Sequence, residues 1–212
     1  MRTRALLILS STLLLATPAW SIPSPSLDDG TEASAPKAAP AAQDTTTYND
    51  ALALMRKGDA LGAQDGARDA YGSARVKLQA LVGRSPQFAE AWNALGYTQR
   101  KLGAFDDSLA SYAKALELKP GYPEALEYRG EAYLRLNRIA EAKQAYLDLF
   151  AANRTIAATL LESMKEWLKA QQGSHAVAAS VITDFADWVK ERSQIATQTA
   201  ALTREGAAAG WR

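Results

Sequence analysis

Between Ala89 and Arg154 the sequence repeats one scheme every 34 residues, and this period restricts the fold more than any other feature. Gly96 and Gly130, Gly103 and Asn137, Phe105 and Ile139, and Tyr112 and Tyr146 are each 34 residues apart. Within one period there are two amphipathic stretches. The first, Ala89 to Leu102, places Trp92, Leu95, Gly96 and Gln99 at offsets of three, four and seven, which gives a helix one apolar face, and Gly103 supplies the stop. The second, Phe105 to Leu118, groups Leu109, Tyr112, Ala113 and Leu116 and ends before Pro120. Two helices of this length cannot bury their apolar faces alone, so successive pairs must stack. From Tyr48 to about Arg192 no convincing run alternates with the period of a strand, and the folded part reads as all-α.

The recurring residues have physical tasks. Gly96 and Gly130 fall inside helices, where glycine costs roughly 0.5–1 kcal/mol against alanine, so close approach of a neighbouring helix is the reason to expect them. Trp92, Tyr112 and Tyr146 are fillers between helices. Pro120 stops one helix from running into the next.

On these residues the sequence resembles the tetratricopeptide repeat family. The unit from Ala89 carries the motif on Trp92, Leu95, Gly96, Gly103, Tyr112, Ala115 and Pro120, departing at Gln99 and Ser108. The unit from Pro123 carries it on Leu126, Gly130, Tyr133, Ala142 and Tyr146, with Arg129 and Arg154 as departures. The resemblance implies a short helical-repeat solenoid of about three pairs, in an array over residues 47–170: a degenerate unit 47–88, units 89–122 and 123–154, and a capping helix 155–170. In the degenerate unit one helix from Tyr48 to Lys57 is expected to stop at Gly58, and the next to run from about Arg68 to Val82. About 11 extra residues, Asp59 to Asp69, would form an insert between them, a candidate partner-contacting loop or a solvated or partly helical excursion with no role. Ile156, Leu160, Met164 and Trp167 mark the capping helix. Residues 171–212 are expected to hold a C-terminal helix, marked by Val177, Val181, Phe185 and Trp188, and a fraying tail from Ser193 that ends near an exposed Trp211.

The resemblance also implies where a partner would lie, because first helices of such units line a concave groove. Position by position the groove falls on Glu90, Asn93, Tyr97 and Arg100, and in the next unit on Glu124, Glu127, Glu131 and Leu134. Three carboxylates on one helical stripe cost a few tenths of a kcal/mol per pair, which a basic partner would relieve. The lysine-plus-asparagine clamp by which chaperone-binding relatives hold a terminal carboxylate is missing, since Tyr97 stands in place of its asparagine.

The ends of the chain suggest export. Residues 1–21 have the layout of a signal peptide, with Arg2 and Arg4 before the apolar run Ala5 to Ala16 and small residues toward Ser21, so a mature start near Ile22 is expected. The apolar run falls short of the ~20 residues needed to span a bilayer, so no membrane insertion is expected after cleavage. Residues 22–46, with Pro23, Pro25, Pro36 and Pro40 and almost no large apolar side chains, read as a disordered tether. The periplasm is the expected compartment, with secretion as the lesser option.

Several chemistries are excluded. With zero cysteines, thiolate metal sites, thiol nucleophiles and a lipoprotein anchor are ruled out. Lys+Arg 24 against Asp+Glu 23 gives +1, and loss of Arg2 and Arg4 leaves 22 against 23, or −1, which argues against a nucleic-acid partner. The single histidine, His175, has no evident catalytic company, and Glu162 with Glu166, or Asp184 with Glu191, read as solvated faces. No phosphate loop or metal-ligand spacing is present, so no cofactor is expected. The function read from this is a non-enzymatic exported scaffold binding a protein or peptide of the cell envelope. A self-associating structural protein, using Trp188, Trp211 or the last helix, is the alternative. An enzyme with a pocket ringed by Glu162, Glu166 and His175 is a distant one.

Overall fold

The computed structural model describes residues 41–173 and 176–209, with side chains described as far as Leu202. Eight helices follow one another: α1 Ala42–Leu61, α2 Ala67–Arg84, α3 Ala89–Lys101, α4 Phe105–Leu118, α5 Pro123–Arg135, α6 Ile139–Ala152, α7 Arg154–Ala170 and α8 Ala179–Ala209. Among the described residues there is no strand, and no helix is long and apolar enough to cross a membrane.

Local chemistry sets the boundaries. Gly103 and Asn137 adopt the left-handed conformation, at φ 83° and 57°, and close the three-residue turns after α3 and α5. Pro123 opens α5, where its missing N–H is no loss. At α7 the Asn153 side chain accepts from the Ile156 N–H at 3.0 Å.

Helices α1 and α2, α3 and α4, and α5 and α6 pack as pairs, and each pair packs on the next. Helix α7 rests on α5 and α6, and α8 on α7, so the array continues in the same order to a fourth pair. The contacts α1–α3, α3–α5 and α5–α7 put the first helices of the units along one side. One core joins α1, α2 and α3 around Leu78 and Leu81, a second joins α4 and α5 around Tyr112, and a third joins α5 through α8 around Tyr146, Leu160, Met164 and Phe185.

Three helical glycines, Gly58, Gly96 and Gly130, are small because side chains lie against them. A Cβ on Gly96 would meet the Tyr112 ring at 2.6 Å, one on Gly58 the Tyr71 ring at 2.7 Å, and one on Gly130 the Leu160 side chain at 2.6 Å. The close approach expected at Gly96 and Gly130 is therefore made by side chains, not by backbones in contact. The two departures in the unit from Ala89 are accommodated by hydrogen bonds. Buried Gln99 accepts from the Ser111 hydroxyl at 2.6 Å, and buried Ser108 donates to the Phe105 carbonyl at 2.7 Å.

Other expectations are corrected. Helix α1 begins at Ala42, inside the segment read as tether, and Asp44 at its start is buried, accepting from the Ser85 hydroxyl and pairing with Arg84 at 3.2 Å. Gly58 does not stop α1, which runs three residues further. Of the two readings of the insert 59–69, the partly helical excursion holds and the loop does not: both its ends are helical, and the turn between α1 and α2 is only residues 62–66. Ala113, placed on the apolar face of α4, is exposed. The segment from Ser193 continues α8 to Ala209. The signal segment 1–21, tether residues 22–40, His175 and Trp211 lie outside the described residues.

Candidate protein-binding groove

The inner sides of α1, α3, α5 and α7 share one register. Counting from the buried glycines Gly58, Gly96 and Gly130, the next residue is Asp59 in α1, Tyr97 in α3 and Glu131 in α5, and three residues before each glycine stand Met55, Asn93 and Glu127. Side chains at these positions meet between units. Asp59 accepts from the hydroxyls of Tyr71 at 2.6 Å and Tyr97 at 2.5 Å, and Lys101 stands 3.3 Å from the same oxygen. Burial pushes the Asp59 carboxyl up, but the two hydroxyls and Lys101 outweigh it and hold the group below the usual carboxylate range. Burial, reinforced by Asp59, pushes the Tyr71 and Tyr97 phenols well above theirs.

Arg100 occupies the middle of the groove. Its guanidinium lies 5.3 Å from the Tyr97 ring centroid and 5.4 Å from that of Tyr128, rings themselves 5.1 Å apart. One terminal nitrogen pairs with Glu131 at 2.6 Å, and the other oxygen of Glu131 accepts from the Ser163 hydroxyl of α7 at 2.9 Å. Burial disfavours the charge on Arg100, but Glu131 and the neighbouring tyrosines prevail and hold it more firmly protonated than usual. Its Nε, near the buried Tyr112 hydroxyl, closes no hydrogen bond.

Every sequence-expected groove residue lies on α3 or α5, but their exposures differ. Tyr97, Arg100 and Glu131 form the connected cluster just described. Glu90 is at one end and pairs with Lys119 at 3.1 Å. Asn93 is 8% exposed, and its Oδ1 is buried without a hydrogen-bond partner. Glu124 is half-buried. Leu134 is 3% exposed and belongs to the core, so it floors the groove and does not project as a contact. Glu127 is 9% exposed, with no ion pair among the described residues. Burial first, and Glu131 second, push its carboxyl up to about 7, against a smaller opposing pull from Arg100. The stripe Glu124, Glu127, Glu131 is thus not three free carboxylates: Glu131 is engaged within the fold and Glu127 is partly protonated at neutral pH.

The cluster splits the groove into two recesses. One, of 210 Å³, lies between α1, α3 and α5, walled by Tyr48, Tyr97, Tyr128 and Asn93. The other, of 540 Å³, lies between α3, α5 and α7, with Phe105, Arg135, Glu166 and Trp167 on its walls. Glu162, expected beside Glu166 in an enzymatic reading, is exposed and pairs with Lys165 at 2.7 Å. Tyr48, Asp59, Lys101, Tyr128 and Ser163 were not legible as groove residues. Asp59 would have been found had Gly58 been aligned with Gly96 and Gly130.

The paired helices and the polar, tyrosine-rich inner side define a helical-repeat solenoid. Residues 89–122 match the family model described as Tetratricopeptide repeat. A chloroplastic tetratricopeptide repeat domain-containing protein, PYG7 of Arabidopsis thaliana, is 29% identical over 136 residues, which cover 58% of this chain and 45% of that protein. The match therefore spans less than half of the curated relative's length. Two solved structures are similar as well. The first TPR of Spaghetti (RPAP3) bound to the HSP90 peptide SRMEEVD is 20% identical at a TM-score of 0.44, covering 56% of this chain and 94% of that one. The first TPR domain of human RPAP3 is 21% identical at 0.46, covering 60% and 99%.

Proposed function

We propose that this chain is a non-enzymatic scaffold that holds a segment of another protein along the inner sides of α1, α3, α5 and α7. The observation that carries this reading is the residue set there: Tyr48, Tyr97 and Tyr128 with Arg100, rigid aromatic and guanidinium groups of the kind that dominate binding energy at protein interfaces. A basic or mixed segment suits the flanking carboxylates Glu124 and Glu127. The signal layout of residues 1–21 supports a mature protein in the cell envelope, in the periplasm, and a partner from the same compartment.

A photo-crosslinking residue in place of Glu124 or Arg56, each on the inner side, should trap one and the same envelope protein. Crosslinkers at Glu117 or Glu141, on the second helices α4 and α6, should trap none of it. Equal trapping from both sets would remove the groove assignment.

A second reading rests on α8, which is 31 residues long against 17 in α7 and leaves Leu202 68% exposed. Pairing of two copies through that helix would make the scaffold a dimer. Sedimentation across a concentration series tests it, and a concentration-independent monomer rejects it.

A further inference from the structure

The smaller recess has a composition that the peptide-holding role alone does not require. Its polar lining is Asn93, Asp59 and Arg56; Asp59 is engaged by Tyr71, Tyr97 and Lys101, whereas the Asn93 side chain is more than nine-tenths buried and its Oδ1 has no hydrogen-bond partner in the fold. An acceptor left this way costs about 1–3 kcal/mol unless something supplies an N–H. The Asn93 amide nitrogen faces Tyr122, whose phenol burial pushes above its usual range and the asparagine pulls back, so the oxygen is the end left open.

The same recess is lined by the rings of Tyr48, Tyr97 and Tyr128, together with Leu52 and Met55. Ring faces attract cations, by about 0.5–2 kcal/mol each as solvent is excluded. Arg100 already shows this on the far side of the Tyr97 and Tyr128 pair. The charge balance agrees. Glu127 is the next residue along the groove in the same register as Asn93, and Glu124 lies one turn before it. Neither has an ion pair among the described residues, whereas Arg56, exposed on α1, is the one cation on the recess wall. Burial first, and the neighbouring carboxylate of Glu131 second, make the Glu127 carboxyl reluctant to ionise.

We propose that the recess between α1, α3 and α5 is a socket for one basic side chain, lysine or arginine, of the bound polypeptide, its N–H donating to Asn93 Oδ1 and its cationic head enclosed by Tyr48, Tyr97 and Tyr128. This rests on the groove reading and adds to it the chemistry of one anchor residue. A volume of 210 Å³ admits a single side chain and not a helix, so the partner presents the residue from an extended stretch or a helix edge.

The test uses the ¹⁵N-labelled full chain and four small probes: the N-acetyl, C-methylamide derivatives of lysine, arginine, norleucine and glutamate. The signal is the Asn93 side-chain amide, assigned by its loss in Asn93→Leu. Lysine and arginine derivatives should move it saturably, with a Kd in the millimolar range suited to one hydrogen bond and a few ring contacts. Norleucine, equal in length but uncharged, should bind at least tenfold more weakly, and glutamate not at all. Tyr48→Ala, which leaves the Asp59–Tyr97 bond in place, should weaken lysine binding several-fold with unchanged circular dichroism. Norleucine matching lysine, or no shift with either cation, overturns the socket. If crosslinkers at Glu124 and Arg56 trap a partner while the cations leave Asn93 unmoved, the groove stands and the socket falls. Binding of the cations with no partner trapped removes the groove reading and overturns the assignment of the socket to a bound polypeptide, leaving a cation-binding recess.

Discussion

Replacing Glu127 with glutamine should stabilise the protein above neutral pH and leave it almost unchanged in mild acid. The carboxyl stands at about 7 in the fold against an ordinary 4.5, chiefly because burial disfavours its charge. A shift of that size corresponds to about 3 kcal/mol at 1.36 kcal/mol per unit, and about 1–3 kcal/mol is expected once residual solvent access is allowed for. Since the folded pKa lies above the unfolded one, the unfolded chain releases this proton first as pH rises. Between about 4.5 and 7 the unfolded state therefore binds fewer protons, and stability falls with pH. Below 4.5 both states hold the proton and the glutamate imposes no penalty. Glutamine keeps the shape and cannot ionise, so wild type and variant should differ little at pH 4.5 and by the full amount at pH 8. Urea unfolding followed by circular dichroism at both values measures the difference, with an unchanged m-value showing that the same surface is exposed. A pH-independent difference, or a variant weaker than wild type at pH 8, would show that attraction to Arg100 outweighs burial and that the carboxylate is charged in the fold.

Gly96→Ala should destabilise by about 1–3 kcal/mol, because its Cβ would stand 2.6 Å from the fully buried Tyr112 ring, whereas Gly83→Ala in α2, with nothing within 4 Å, should stabilise by roughly 0.5–1 kcal/mol. Melting temperatures of the two variants should move in opposite directions. Ser111→Ala removes the donor to buried Gln99 and should cost about 1–3 kcal/mol, with Ser111→Thr recovering part of it if the hydroxyl can still reach. Mass measurement of protein recovered from the envelope should find a first residue at or close to Ile22, and an intact Met1 would mean that the leader is kept.

The helices from Ala89 to Ala152 could be read because each sequence signal there has one structural use. Gly103 and Asn137 are left-handed because a three-residue turn requires it, and Gly96 and Gly130 are covered because a side chain lies on each. The first unit misled for the same reason. Gly58 looks like a terminator in sequence, but with Tyr71 lying against it the glycine belongs inside a helix, and the surplus residues lengthen α1 and α2 instead of forming a loop. Tail residues from Ser193 to Ala209 carry only Ile195 and Leu202 as large apolar side chains, and alanine-rich composition, which favours helix continuation, prevailed over that deficit. In the groove, helical register was enough to locate Tyr97, Arg100 and Glu131. It could not show that Glu131 is taken by Arg100 and Ser163, since a partner from another helix has no fixed spacing in sequence. Nor could it show that Leu134 sinks into the core while Glu131, three residues before it, does not.

The bonds Asp59–Tyr97, Arg100–Glu131 and Glu131–Ser163 run from unit to unit along one side of the array. In mechanical terms they act as the taut inner chord of a bow. A polar contact near 2.6 Å loses strength steeply when stretched, whereas apolar packing elsewhere between pairs can slide with small loss. Bending of the solenoid should therefore pivot about this chord, with the outer helices closing or spreading while the spacing of the inner tyrosines is held. A partner would meet anchor points at constant intervals on a frame that still flexes. Dissolved salt weakens the Arg100–Glu131 link least, because that pair is largely buried, and the exposed Lys101–Asp59 link more, so added salt should loosen the α1 end of the chord first.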